Sequence, residues 1–228
     1  MDTLALLEGL RFLDSFFPSG GYAFSSGLEA AVQAGALTNG EGLSRYVEDL
    51  LRGGLGKREA VAVREAHDAL VSNDLARALT IDRDLDAMKI GRDSRLASRQ
   101  MGRQVIRISA EHMPVCKLLR QFQAKVETGH AFGHHAVAMG LTLAACEWPR
   151  RETVAGYLYH NAVGLVSAAM KLLPVGQREA QNLLHRWTAV IDKLSEEVLL
   201  SGHMSFWSPV QDIYAMRHHR LESRLFRS

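Results

Sequence analysis

The stretch from Phe16 to Glu29, Phe-Phe-Pro-Ser-Gly-Gly-Tyr-Ala-Phe-Ser-Ser-Gly-Leu-Glu, shows how this chain changes from a turn to a helix. Its two consecutive glycines permit backbone angles closed to other residues, and Pro18 lacks an N–H donor, so the first half is a loop. Aromatic side chains in a loop must pack on the fold or contact a partner. Ser26-Gly-Leu-Glu then matches a capping box, which predicts that a helix begins at Ser26.

Outside this stretch, apolar residues recur at three- and four-residue spacing along almost the whole chain, and no alternating or β-branched run indicates a strand. A second capping box, Thr38-Asn-Gly-Glu, and Pro149 at a helix entry mark further helix starts. The sequence therefore predicts an all-α fold, a single-domain bundle of about nine to ten helices. The predicted helices span residues 3–14, 26–36, 41–68, 73–83, 91–112, 115–127, 131–146, 150–173 and 177–199.

The periodic pattern ends near residue 200, which divides the chain into a helical domain, residues 1–200, and a C-terminal tail, residues 201–228. The tail packs on the domain or extends from it. Chain termini are usually polar, whereas Leu221, Leu225 and Phe226 would waste apolar surface unless they were docked. We therefore expect a tail that docks on the domain or on a partner, with its arginines bound to carboxylates or carbonyls.

Composition and charge exclude several function classes. The 228 residues are 47% hydrophobic and 23% charged with a net charge of +2, which is ordinary for a globular domain and too mild for nucleic-acid binding. Cys116 and Cys146 belong to no Cys-x-x-Cys pattern, as expected of reduced thiols in the cytoplasm. The N-terminus lacks a signal-peptide pattern, and the longest apolar stretch, residues 162–173, is shorter than the roughly 20 residues that cross a bilayer. We expect a soluble cytoplasmic protein with neither membrane nor nucleic acid as partner.

Histidines in Gly-His-Ala-Phe-Gly-His-His, residues 129–135, are a candidate metal site. His130 and His134 are four residues apart, so the predicted helix places them on one face, as in many metal sites. The zinc-protease pattern needs a glutamate where Ala131 stands, and no carboxylate or cysteine is near in sequence. Surface or hydrogen-bonded core histidines fit the motif better. A small metal-binding enzyme that uses His130 and His134 is kept as the alternative function.

A basic stripe on one predicted helix is a further candidate site. The stripe could bind phosphates or an acidic protein surface. The alternative is that it is a solvated helix face, and that nearby aspartates partly neutralise its charge. A nucleic-acid-binding module is therefore a second alternative, although the stripe lacks interleaved aromatic residues. No pattern of nucleophile and base occurs, so catalysis has no support in the sequence. The stripe consists of Arg92, Arg95, Arg99, Arg103 and Arg107.

Several separated segments resemble the F-type urease accessory protein family. Residues 17–29 resemble its N-terminal signature, and Arg-Leu-Ala-Ser-Arg-Gln-Met-Gly at residues 95–102 resembles a second family segment. Residues 162–177 are similar to its central helix and turn, and the terminal Arg-Leu-Phe-Arg-Ser is similar to its end. These matches occur in the family's order over nearly the whole chain, so the resemblance is far more specific than any one motif.

The resemblance implies an all-helical homodimer that acts as a non-catalytic scaffold in urease maturation. Such a protein binds the D/H-type accessory protein through its tail, recruits the G-type GTPase and docks on apo-urease. The complex couples GTP hydrolysis to transfer of nickel into the urease active site. The resemblance implies that this chain binds no cofactor tightly. GTP is bound by the partner GTPase, and nickel passes through the complex.

The resemblance also assigns roles to individual residues. Tyr22 and Lys171 match positions that face the GTPase, and Arg224 matches a tail arginine that holds the tail in shape, next to Leu225 and Phe226. From its place in the last turn of a helix, Lys171 alone would be assigned to the helix dipole. A lysine does not reproduce a bidentate arginine finger, so a gating role fits better than acceleration of hydrolysis. His203 matches the histidine of a His-x-Cys pair discussed as a nickel contact, but Ser205 replaces the cysteine.

Overall fold

The computed structural model describes residues 1–227, apart from the side chain of Tyr22, and these residues form helices joined by loops. The described residues contain no strand, so the predicted all-α, single-domain fold is confirmed. The α-helices are α1 (Thr3–Leu13), α2 (Leu28–Gln33), α3 (Gly40–Leu50), α4 (Ala60–Val71), α5 (Leu75–Met88), α6 (Arg92–His112), α7 (Lys117–Glu127), α8 (His135–Ala145), α9 (Arg150–Leu172), α10 (Gln177–Leu200) and α11 (Pro209–Arg217).

Helix α8 lies at the centre of the fold, where it contacts α4, α6 and α9. It is buried from His135 to Ala144, because its side chains are small or apolar on every face. Gly140 allows its backbone to approach α4 closely, since a Cβ at this position would lie 2.3 Å from the Val63 carbonyl oxygen. Among the helices described, none has the length and apolarity needed to span a membrane.

The prediction of one continuous helix over residues 41–68 is wrong, because a π-helical segment, Leu51–Glu59, separates α3 from α4. Gly53 in this segment has φ −98° and ψ −112°, which is not helical. A Cβ on Gly53 would lie 2.1 Å from the Ser208 Oγ, and the Gly54 N–H donates to that same oxygen at 2.8 Å. The helix is therefore interrupted where Ser208, the residue before α11, packs against it. This contact attaches the first part of the tail to the domain.

Both predicted capping boxes are wrong in detail. Gly27, with a φ of 84°, precedes α2, so Ser26 lies outside the cap position. At α3 the cap is Asn39, whose side chain accepts the Gly42 N–H at 2.9 Å, in place of the neighbouring threonine. The first error has a long-range cause, because the carboxylate of Glu29 binds residues from the other end of the chain.

We expect Gly140→Ala to destabilise the fold, because the added methyl group has no room against α4. Overpacking of this kind typically costs about 1–3 kcal/mol of unfolding free energy. Gly164→Ala is the matched control, since Gly164 also lies within a helix but a Cβ there meets nothing within 4 Å. The control should gain about 0.5–1 kcal/mol from the lower conformational entropy of alanine. Urea unfolding measures both values, and equal stabilities would contradict the close approach.

Candidate functional site

Glu29 on α2 receives the end of the chain. Its side chain is 2% exposed, and its Oε1 accepts the Leu225 N–H at 2.7 Å. Its Oε2 accepts the Phe226 N–H at 3.2 Å. Hydrogen bonds to a charged acceptor are stronger than neutral ones, so this one carboxylate holds the main chain of the terminal segment (residues 221–227) against the domain.

His218 adds a third donor to the same carboxylate. Its ring is fully buried in the turn after α11, with Nε2 2.8 Å from the Glu29 Oε2. Burial would raise the pKa of Glu29, but hydrogen bonds from Leu225, His218 and Phe226 outweigh burial and lower it. Glu29 is therefore ionised at neutral pH and accepts hydrogen bonds from all three donors. We call Glu29, His218, Leu225 and Phe226 the Glu29 cluster.

The side chain of Phe226 brings the terminal segment to Lys171. Phe226 is 6% exposed and belongs to the hydrophobic core, whereas Lys171 lies exposed in the last turn of α9. The Lys171 Nζ is 5.5 Å from the centroid of the Phe226 ring, within the range of a cation–π interaction. Two residues that the resemblance singles out separately are thus in contact.

Two further hydrogen bonds complete the attachment of the terminal segment. The Gln33 side chain donates to the Ser223 carbonyl at 3.0 Å, and the Arg227 N–H donates to the Ala23 carbonyl at 2.7 Å. Ala23 ends the short turn that also contains Tyr22, and this turn contacts α9. The backbone at position 22 therefore lies next to the terminal segment, while the side chain of Tyr22 is outside the described residues.

Several other side chains of the tail are exposed to solvent. Leu225 is 64% exposed, and Arg224 is exposed without a hydrogen bond or ion pair to any other described residue. Helix α11 also exposes an apolar row at three-residue spacing, formed by Val210, Ile213 and Met216. An exposed apolar row of this kind is typical of surfaces that bind other proteins.

A buried ionic cluster lies beneath the tail. Glu59 accepts hydrogen bonds from the Lys89 ammonium and, at 2.8 Å, from the Tyr157 hydroxyl, while Arg58 Nη2 is 3.6 Å from its carboxylate. Burial would raise the pKa of Glu59, but the charges of Lys89 and Arg58 outweigh it and lower the pKa to about 2. Burial raises the pKa of Asp212 on α11, which lines the same cavity of about 170 Å³. The cluster connects the π-helical segment, α9 and the end of α5 under the tail.

The helical arrangement predicted for His130 and His134 is wrong, because both precede α8 and share no helix face. His134 is fully buried, and its ring nitrogens lie 3.0 Å from the Ser98 Oγ and 2.9 Å from the Asp86 Oδ1. His130 is exposed beside Thr128. Asp82 is the reason for the irregular backbone, since its carboxylate accepts the N–H groups of residues 132–134. The interpretation as a hydrogen-bonded core histidine therefore describes His134.

The remaining candidates are the arginine stripe and His203. In the arginine stripe, Arg99 binds Asp86 at 2.5 Å and Arg103 donates to the Phe132 carbonyl at 3.3 Å, so part of the stripe is used within the fold. His203 lies exposed in the segment between α10 and α11. Within residues 1–227, no three or more His, Cys, Asp or Glu side chains are arranged to hold a metal ion.

The comparison with known proteins gives one consistent family. The family model named UreF matches residues 37–188. The urease accessory protein UreF of Actinobacillus pleuropneumoniae serotype 3 (strain JL03) is 30% identical over 226 residues, which cover 96% of this chain and 97% of that protein. The protein of the same name from Lachnoclostridium phytofermentans is 28% identical over 98% of each chain. That from Bacillus sp. (strain TB-90) is 26% identical over 98% of this chain and 99% of its own.

We expect Lys89→Met to destabilise the protein strongly, because it leaves the buried Glu59 carboxylate without its closest cation. Breaking a buried ion pair by removing one partner typically costs about 3–5 kcal/mol. The double variant Lys89→Met with Glu59→Gln removes both charges and should recover part of that loss. Urea unfolding of the single and double variants tests this, and a Lys89→Met chain as stable as the unmodified one would refute the assignment.

Proposed function

The chain belongs to the UreF family of urease accessory proteins, and from this premise we propose that it is a cytoplasmic scaffold that bridges two partners. The tail captures the D/H-type accessory protein, and the surface around Lys171 faces the G-type GTPase. The assembly docks on apo-urease and gates the GTP-dependent delivery of nickel. Members of this family are accessory proteins and not enzymes, so this chain catalyses none of these steps.

The observation that carries the proposal is the contact between Lys171 and the Phe226 ring at 5.5 Å. It joins the tail, which is assigned to the first partner, to the lysine that is assigned to the second. The terminal segment also leaves Arg224 and Leu225 exposed beside this contact. A partner that covers these residues would therefore contact or closely approach the surface that the GTPase uses, as bridging requires.

Lys171 suits a gating role. It is exposed, and it forms no hydrogen bond or ion pair with another described residue, so its ammonium is available to a partner. A compact ammonium attracts a negatively charged surface but lacks the planar fork with which arginine stabilises a phosphoryl transition state. We therefore infer that Lys171 and Tyr22 position the GTPase and control when it acts.

Exposed apolar faces support membership of a larger assembly, which we infer to include a homodimer. Helix α1 exposes Leu4, Leu7 and Leu10, whose three-residue spacing places them on one face. Contiguous apolar surface of this kind is usually covered by another protein. The nickel ion is cargo in this proposal, GTP belongs to the partner GTPase, and His203 is assigned a passing contact with the metal.

Removing residues 221–228 should abolish capture of the D/H-type accessory protein, because it removes the surface assigned to that partner. Helicity should stay nearly unchanged, because Phe226 is the one large apolar side chain that the described part of this segment buries. Pull-down with the tagged partner measures capture, and far-ultraviolet circular dichroism measures helicity. Capture equal to that of the full chain would refute the role of the tail.

Lys171→Ala should preserve the fold and reduce urease activation about tenfold or more, as expected for a residue that dominates an interface. Activation is measured as urease activity after incubation of apo-urease with nickel, GTP and the accessory proteins. Lys193→Ala is the matched control, because Lys193 is also an exposed helical lysine and pairs with Glu197 at 3.8 Å. Full activation by the Lys171 variant would return this lysine to a helix-dipole role.

A further inference from the structure

Glu29 is placed to determine the shape in which the end of the chain is offered to a partner. We propose that Glu29 is the positioning residue for the terminal segment, and that partner capture depends on the Glu29 cluster. The inference rests on the proposed function in one respect, since it takes the terminal segment to be the surface that the partner binds.

The first argument is the number and origin of the donors on one carboxylate. His218, Leu225 and Phe226 lie 189, 196 and 197 residues from Glu29, and they occupy both of its oxygens. Glu29 is 2% exposed, so water is largely excluded from these hydrogen bonds. Without the carboxylate, buried N–H groups would lose their acceptor, which is unfavourable wherever water does not replace it.

The second argument is that apolar burial alone does not hold the terminal segment. Its side chains contribute one buried phenyl ring, that of Phe226, while Leu225 is 64% exposed and Leu221 is half-buried. Ordering a segment of seven residues has a conformational-entropy cost that the burial of one ring does not offset. The charge-assisted hydrogen bonds to Glu29 supply part of the difference, together with the hydrogen bonds that join Gln33 to Ser223 and Arg227 to Ala23.

The third argument is geometric. His218 precedes the terminal segment and Leu225 lies near its end, and both bind the same side chain. Residues 219–224 therefore form a loop whose two ends meet at Glu29. The loop displays Arg220 and Arg224 to solvent, which is the arrangement expected of an epitope for an acidic partner surface.

The test is Glu29→Gln, which keeps the size of the side chain but removes the charge and turns one acceptor oxygen into a donor. Glu127→Gln is the matched control, because Glu127 is an exposed glutamate at the end of α7, outside both the terminal segment and the Glu29 cluster. Hydrogen exchange followed by mass spectrometry reports on the peptide 219–228. We expect exchange in this peptide to be at least about tenfold faster in Glu29→Gln, which corresponds to the loss of one charge-assisted hydrogen bond. Pull-down should show about tenfold weaker capture of the D/H-type accessory protein, and the control should match the unmodified chain in both assays.

The chain lacking residues 221–228 is measured in parallel, so that the two ideas fail in different ways. Unchanged exchange and unchanged capture in Glu29→Gln, while the truncated chain loses capture, would overturn the positioning role and leave the proposed function intact. Faster exchange in Glu29→Gln, while the truncated chain still captures the partner, would support the positioning of the segment and overturn its role in capture.

A second variant covers loss of folding in Glu29→Gln, which circular dichroism would reveal. Leu225→Pro removes one N–H donor from an exposed position and leaves the buried carboxylate in place. Exchange at the Phe226 amide should again be at least about tenfold faster. Unaltered protection of that amide would overturn the proposal.

Discussion

Two buried carboxylates each hold an irregular segment of this helical protein, and the attachment of the terminal segment depends on one of them, Glu29. Helices satisfy their own backbone groups, but a loop that packs into the fold must find acceptors elsewhere. Asp82 accepts the N–H groups of residues 132–134, and Glu29 accepts those of Leu225 and Phe226. A carboxylate has four lone-pair positions and no donor, so it is the side chain best suited to collect several N–H groups.

The helices were largely predictable, because apolar spacing reports which face is buried. The predicted helix 150–173 corresponds to Arg150–Leu172, and 177–199 corresponds to Gln177–Leu200. Prediction failed where distant residues decide the local backbone. The break at Gly53 depends on Ser208, and the start of α8 depends on Asp82, so neither is encoded in neighbouring residues alone.

The candidate site shows the same division. Lys171 and Phe226 were identified through resemblance, and the need to dock the tail followed from its apolar residues, but nothing local indicated that these two side chains meet. Glu29 and His218 were missed as site residues. Glu29 carried a misleading signal, since a glutamate three residues after a serine is a capping pattern. The apolar neighbours of Glu29, which are Leu28, Ala30 and Ala31, were the signal in the sequence that this acid is buried.

The separation of Glu29 from its donors also has a consequence for biosynthesis. The ribosome makes Glu29 early and His218, Leu225 and Phe226 189 to 197 residues later, so α2 and the helices around it emerge while this carboxylate has none of these three donors. Chains generally fold as they are synthesised, N-terminal parts first. The contact between Lys171 and Phe226 therefore forms after α2 and its neighbouring helices have emerged, and a nascent chain acquires it only when translation has passed residue 226.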